Sequence, residues 1–134
     1  MPYVVVDTCV LSYLYRGHSL AENYRSHLEG NTAVISFVTL AELYYGTLKN
    51  DWGEQRRADL MAHVARGYIL YPFNRPLCEQ WAVVRDRSRR AGRQIKRNDS
   101  WIAATALLYG IPLVTNNRSD FEVLEPDLEV ISEA

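Results

Sequence analysis

Short, fully apolar runs alternate with longer stretches of helical period along almost the whole chain. Val4-Val5-Val6 opens the series; three β-branched residues in a row suit a strand buried on both faces. Cys9 to Tyr15 reads as a short helix, with Arg16-Gly17 in a glycine C-cap position. Ser19 can cap a second helix that runs to Leu28 or Glu29, and Gly30-Asn31 is a turn. Ala33 to Ser36 is the second strand, and Phe37 or Val38 to Leu48 the third helix. Glu54 to Arg66 has the amphipathic period, with Leu60, Met61, Val64 and Ala65 inward. Tyr68 to Tyr71 is a third strand, and Pro76 opens a helix to about Ala91. Arg93 to Arg97 is a basic loop, Asn98 or Asp99 caps a helix through Tyr109, and Gly110 closes it. Ile111 to Val114 and Asp127 or Leu128 to Ile131 complete five strands.

Strands that alternate with helices predict an α/β fold with a mostly parallel five-stranded sheet covered on both faces. Right-handed crossovers would bring the strand ends to one side. The 134 residues, 48% of them hydrophobic, fit one domain spanning residues 1–134 with one core. No apolar run approaches the roughly 20 residues that span a bilayer, so no membrane partner is expected. Met1-Pro2-Tyr3 lacks the basic region of a signal peptide, and Cys9 and Cys78 form no scaffold or zinc spacing. Both point to reduced thiols and a cytoplasmic location.

The net charge of −1 conceals an asymmetry. Seven of the 15 Lys and Arg residues lie between Arg85 and Arg97, against one acid, Asp86. From Asp120 to Ala134 there are six acids and no base. A nearly neutral chain can therefore carry a basic patch able to meet phosphate; the alternative is a solvated helix face.

Asp7, Glu42 and Asp99 are each set in apolar sequence. Asp7 ends the first strand, Glu42 lies within Val38-Thr39-Leu40-Ala41-Glu42-Leu43-Tyr44-Tyr45, and Asp99 precedes Trp101 to Leu108. The helix around Glu42 is apolar nearly all round and should be largely buried, where an unpaired carboxylate is costly. One reading is capping: Asp7 and Asp99 stand where helices begin, and Thr39-x-x-Glu42 matches a capping box. The other is joint. Carboxylates gathered at the carboxyl ends of the strands repel one another, and a divalent cation relieves that repulsion. Oxygen-only ligands suit Mg²⁺ or Mn²⁺ rather than zinc, and such a site supports phosphodiester hydrolysis by an activated water. No P-loop, G-x-S-x-G or H-E-x-x-H pattern is present, and His18, His27 and His63 have no ligand-like spacing. Cys9 reads as a small buried residue.

Four blocks in this order resemble the PIN-domain ribonucleases, and among them the VapC toxins of toxin–antitoxin pairs. They are Val4-Val5-Val6-Asp7-Thr8, Ser36 to Gly46, Asn98-Asp99-Ser100-Trp101-Ile102-Ala103-Ala104-Thr105-Ala106, and Leu113-Val114-Thr115-Asn116-Asn117-Arg118-Ser119-Asp120-Phe121. The resemblance implies a PIN-like three-layer α/β/α sandwich and a Mg²⁺- or Mn²⁺-dependent endoribonuclease, the toxin of a type II system. It implies Asp7, Glu42 and Asp99 as the acidic site, with Thr8 and Thr115 supplying hydroxyls beside it. Many members carry a fourth acid two residues after the last threonine; here that position is Asn117, an amide, and Asp120 is the other source of charge.

The resemblance further implies a homodimer and a cognate antitoxin, for which Tyr44, Tyr45, Leu48 and Trp52 are candidate contacts, with core packing expected for about half of them. Arg93, Lys96 and Arg97 are the candidates for RNA phosphate. Two other functions share these features. One is a catalytically silent module that acts with an antitoxin in transcriptional autoregulation, to which Asn117 points. The other is a structure-specific DNA nuclease.

Overall fold

The computed structural model describes residues 2–134. Its centre is a five-stranded sheet in the order β3-β2-β1-β4-β5, in which every neighbouring pair is parallel. The strands are β1 Tyr3–Val6, β2 Thr32–Ser36, β3 Ile69–Tyr71, β4 Leu113–Val114 and β5 Val130–Ile131. The helices are α1 Thr8–Arg16, α2 Ala21–Leu28, α3 Phe37–Lys49, α4 Glu54–Gly67, α5 Arg75–Arg90, α6 Arg97–Tyr109 and α7 Arg118–Phe121, the last followed by a 3₁₀ turn, Glu122–Leu124. The sheet expected to be mostly parallel is wholly so, in a three-layer α/β/α arrangement.

Period two along the central strands divides the core between the two faces. Val5, Val34 and Leu113 point to one side, against Leu77 and Val84 of α5 and Ile102, Ala103 and Ala106 of α6. Val4, Val6, Ile35 and Val114 point to the other, against Val10 and Leu11 of α1, Tyr24 of α2 and Leu60 and Val64 of α4. Gly17 and Gly110 end α1 and α6 at φ of 65° and 64°, in the left-handed region where a side chain would be strained.

Several local expectations are corrected. Ser19 does not cap α2; Leu20 occupies that position without a side-chain bond. Ser36 caps α3 by accepting from Val38 N at 3.2 Å, so Glu42 lies well inside the helix and Thr39-x-x-Glu42 forms no capping box. Helix α6 begins at Arg97, which puts Asp99 in its first turn rather than at its cap. Ala65 is exposed while Leu60 and Val64 are buried, because α4 shows the sheet only a narrow face. Helix α3 is less buried than its apolar sequence suggests: Tyr44, Tyr45 and Leu48 are exposed, and Trp52 is half-buried. Strand β3 lies at the sheet edge, with Ile69 and Leu70 both exposed. No helix of the described residues is long and apolar enough to cross a membrane.

These positions give opposite expectations for two similar truncations. Ile35→Ala empties a fully buried site on a central strand and should cost about 2–5 kcal/mol in urea denaturation. Ile69→Ala on the exposed edge should cost less than about 1 kcal/mol in the same measurement.

Candidate active site

The strand order reverses between β1 and β4, and in open α/β sheets the crevice outside such a switch point is where ligands bind. Asp7 leaves β1 there and Thr115 leaves β4 beside it, their backbones tied by Asp7 N donating to Val114 O at 2.9 Å. Asp7 is buried at 5% exposure. Its Oδ1 accepts from Thr8 N at 2.8 Å, which caps α1, and its Oδ2 accepts from the Thr115 hydroxyl at 2.7 Å. Capping and a place in an acidic site are therefore compatible at Asp7, because a carboxylate has an oxygen for each. Burial pushes its pKa up; the bonds from Thr115, Thr8 and Cys9 pull it down, and the Glu42 charge adds to the rise. The Cys9 thiol lies 3.5 Å from Asp7 Oδ2, and burial, with the Asp7 charge behind it, pushes it up to about 12.

Glu42 approaches from α3. Its Oε1 accepts from the Thr8 hydroxyl at 2.7 Å. Thr8 Oγ1 also lies 3.0 Å from Thr39 Oγ1. Thr8 has one hydroxyl proton and a carboxylate can only accept, so Thr39, fully buried one turn before Glu42, donates to Thr8. The other carboxylate oxygen, Oε2, faces Asn98 Nδ2 at 3.3 Å.

Asp99 reaches the same rim from the first turn of α6, an end where negative charge is favoured. Its carboxyl is nevertheless pushed up to about 6, first by burial, then by Asp7, Asp120 and Glu42, with Lys96 opposing. Asp120 is exposed on α7, which the fully buried Phe121 anchors, and lines a cleft with Asp99, Arg93 and Lys96. Asn117 is exposed too; its backbone N–H donates to Thr115 Oγ1 at 3.0 Å, and its Nδ2 faces Cys9 Sγ at 3.8 Å. Asp7, Glu42, Asp99 and Asp120 form no salt bridge among the described residues.

The donor set is carboxylate, hydroxyl and amide oxygen, which fits a hard divalent cation, and the mutual repulsion around Asp99 is what such an ion would relieve. As they stand, no three carboxylate, imidazole or thiolate groups of the described residues are set to hold a metal ion, so the fit is one of donor chemistry and not of an assembled coordination geometry.

The basic segment proves to be divided. Arg87 pairs with Asp127 at 2.7 Å, Arg89 and Arg90 with Asp86 at 2.6 and 2.8 Å, and Arg93 with Glu122 at 3.7 Å. Two of the seven basic residues, Arg87 and Arg93, are thus taken up by the acidic C-terminal part, and two more by Asp86 of their own helix. The loop is pinned where buried Ile95 donates its N–H to Ser88 Oγ at 2.9 Å and accepts from Arg85 at its carbonyl. Lys96 and Arg97, next to Asp99, form no salt bridge among the described residues. The sequence marks Thr39 and Asn98 only as helix caps and gives Ser88 no role; a threonine one turn before the glutamate of an apolar helix was the available signal for the first.

The raised Asp99 pKa has a consequence for stability. A carboxyl whose folded-state pKa exceeds its ordinary 3.8 favours the folded state only while protonated, and that contribution is lost as pH rises from about 3.8 to about 6. Without added metal, Asp99→Asn should therefore raise the Tm by a few degrees at pH 7.5, with the gain fading toward pH 4. Differential scanning calorimetry across that range checks it.

The PIN domain family matches residues 4–125. Ribonuclease VapC1 of Haemophilus influenzae (strain R2866) is 31% identical over 120 residues, which cover 88% of this chain and 89% of the relative. The VapBC2 structure from Rickettsia felis, bound to a DNA fragment from its promoter, superposes with a TM-score of 0.81 at 25% identity, over 97% of this chain and 98% of that one. VapBC-5 from Mycobacterium tuberculosis, a member of the VapBC family of toxin–antitoxin systems, gives 0.75 at 27% identity, over 98% and 99%. With the parallel sheet, its switch point and the acids gathered there, a match over most of its length makes this chain a member of the PIN domain family.

Proposed function

We propose that the chain is an endoribonuclease that hydrolyses RNA phosphodiester bonds with Mg²⁺ or Mn²⁺, and that it is the toxin of a type II toxin–antitoxin pair. The observation that carries this reading is the gathering of four carboxylates at the switch point with no salt-bridge partner among the described residues. The ribonuclease VapC relatives support RNA as substrate, and the VapBC structures support an antitoxin partner.

When bound, a divalent cation would screen the scissile phosphate and lower the pKa of a water enough for attack near neutral pH. Asp7, Glu42 and Asp99 would hold it. Thr8 and Thr115 fix the carboxylates of Glu42 and Asp7, which limits the rearrangement needed on loading. Asp120 is the better candidate for the fourth charge, since it acts on Asp99 while Asn117 turns its amide toward Cys9. Arg93, Lys96 and Arg97 would hold the phosphate backbone beside the acids.

The chain acts as one domain, in the cytoplasm where its substrate is found. The exposed Tyr44 and Leu48, which line an apolar groove with Arg57, Ala58 and Met61, suit an antitoxin segment. The uncovered edge around Ile69, Leu70 and Phe73 suits a second copy.

Purified protein should cut single-stranded RNA with Mg²⁺ or Mn²⁺ and stop on addition of EDTA. Asp99→Asn should lower the rate by more than about 100-fold, beyond the range typical of residues that act through a ligand. An inert wild-type protein with either ion would favour the silent module, and cleavage of flap DNA alone would favour the DNA nuclease. Mn²⁺ at about 100 times its Kd should stabilise the wild type by about 2.7 kcal/mol, read as a raised Tm. Replacing Arg93, Lys96 and Arg97 together by alanine should weaken RNA binding and reduce the slope of log K against log salt by about 2.

A further inference from the structure

Asparagine is among the residues most favoured to cap a helix. Helix α6 starts without a side-chain cap: Lys96 holds the cap position and makes no such bond. Asn98, two residues further on, reaches away from its own helix. Its Nδ2 donates to Glu42 Oε2 on α3 at 3.3 Å. The second oxygen of the same carboxylate is held by Thr8 at 2.7 Å, so Glu42 is gripped from two elements, one donor to each oxygen.

Asn98 also adjoins Asp99, and its bond therefore joins the helices that carry two of the acids. A neutral donor is suited to that place. It fixes one carboxylate relative to another without cancelling charge, as a lysine or arginine would. Asn98 is itself exposed, so the contact is not a by-product of core packing.

We propose that Asn98 is a positioning residue, holding the Glu42 carboxylate toward Asp99 and so setting the span across which the two acids share a divalent cation. The inference rests on the nuclease reading above. It adds a residue that would touch neither metal nor RNA and acts through Glu42.

Mn²⁺ titration calorimetry without RNA, together with kcat and KM for RNA cleavage, tests it on wild type, Asn98→Ala and Asn98→Asp. For Asn98→Ala, Mn²⁺ affinity should fall about 10–100-fold and kcat should fall, with KM and Tm close to wild type. Asn98→Asp keeps the size but replaces the donor with a negative acceptor, and should bind Mn²⁺ no better than the alanine variant. Tighter Mn²⁺ binding by Asn98→Asp would make position 98 a ligand and overturn the positioning role. Wild-type affinity and kcat in Asn98→Ala would overturn it while leaving the nuclease reading intact. A wild-type protein that neither binds Mn²⁺ nor cuts RNA would overturn both. The contact has its own readout: the Asn98 side-chain amide signals in a ¹H–¹⁵N spectrum should move in Glu42→Ala, and unmoved signals in a folded variant would also overturn the proposal.

Discussion

A carboxylate removed from water must find donors or lose its charge, and Asp7 is held between these outcomes. The sheet register decides which donors it meets. Val6 pairs with Val114, so the first residues beyond the two strands, Asp7 and Thr115, emerge side by side. A slip of one residue would turn every side chain of the strand to the opposite face and separate the pair. A slip would also carry Asp7 or Tyr3 into a strand position that a buried valine now fills, and that cost fixes the direction of the acid that ends β1. The support continues outward. Tyr24, fully buried on α2, donates to Asn116 Oδ1 and accepts from Glu133 N at 3.0 Å, which ties the loop after β4 to the C-terminal end of the chain.

Two ways of stabilising a carboxylate operate in this fold, capping a helix and accepting from distant side chains, and they divide differently among the three acids. At Asp7 both operate, since one oxygen caps α1 and the other receives Thr115. At Glu42 capping is absent because Ser36 has already capped α3, and the side chain is left to Thr8 and Asn98. Asp99 gains from its place in the first turn of α6 but loses more to burial and to its acidic neighbours. The site is stabilised as far as hydrogen bonds to neutral groups can do it, and the repulsion left over is available to a cation.

The sheet and most helices could be read from local pattern. Runs such as Val4-Val5-Val6 and Ala33 to Ser36 mark strands, and the left-handed glycines after α1 and α6 mark helix ends. Features that depend on distant partners could not. Helix α7 is too short to have a period, and Phe121 holds it by burial. The exposure of Ile69 and Leu70 follows from strand order, to which a strand's own sequence is blind. The three acids could be named from their apolar surroundings. Their convergence was visible only through resemblance, because it depends on crossovers joining residues about 35 and 90 positions apart. Asn98, which donates to Glu42, and Thr39, which reaches it through Thr8, each carried a plausible local role as a helix cap, and that role hid the distant one.

Charge makes the same point at larger scale. The basic stretch and the acidic end of the chain look in sequence like a patch and a tail. In the fold Arg87 and Arg93 meet Asp127 and Glu122, pairs exposed enough to contribute little stability each. Their larger effect is on what remains. With Arg85 bound to the Ile95 carbonyl and Arg89 and Arg90 on Asp86, Lys96 and Arg97 stand beside the acids with no salt bridge among the described residues. They do not collapse onto the acids, because Ile95 is buried just before them and Lys96 stands in extended backbone ahead of the helix. Opposite charges therefore stay adjacent and unpaired. In the proposed reaction this lets one short segment, Lys96 to Asp99, serve both partners: its cations face the polyanion, and its carboxylate faces the metal that the polyanion needs.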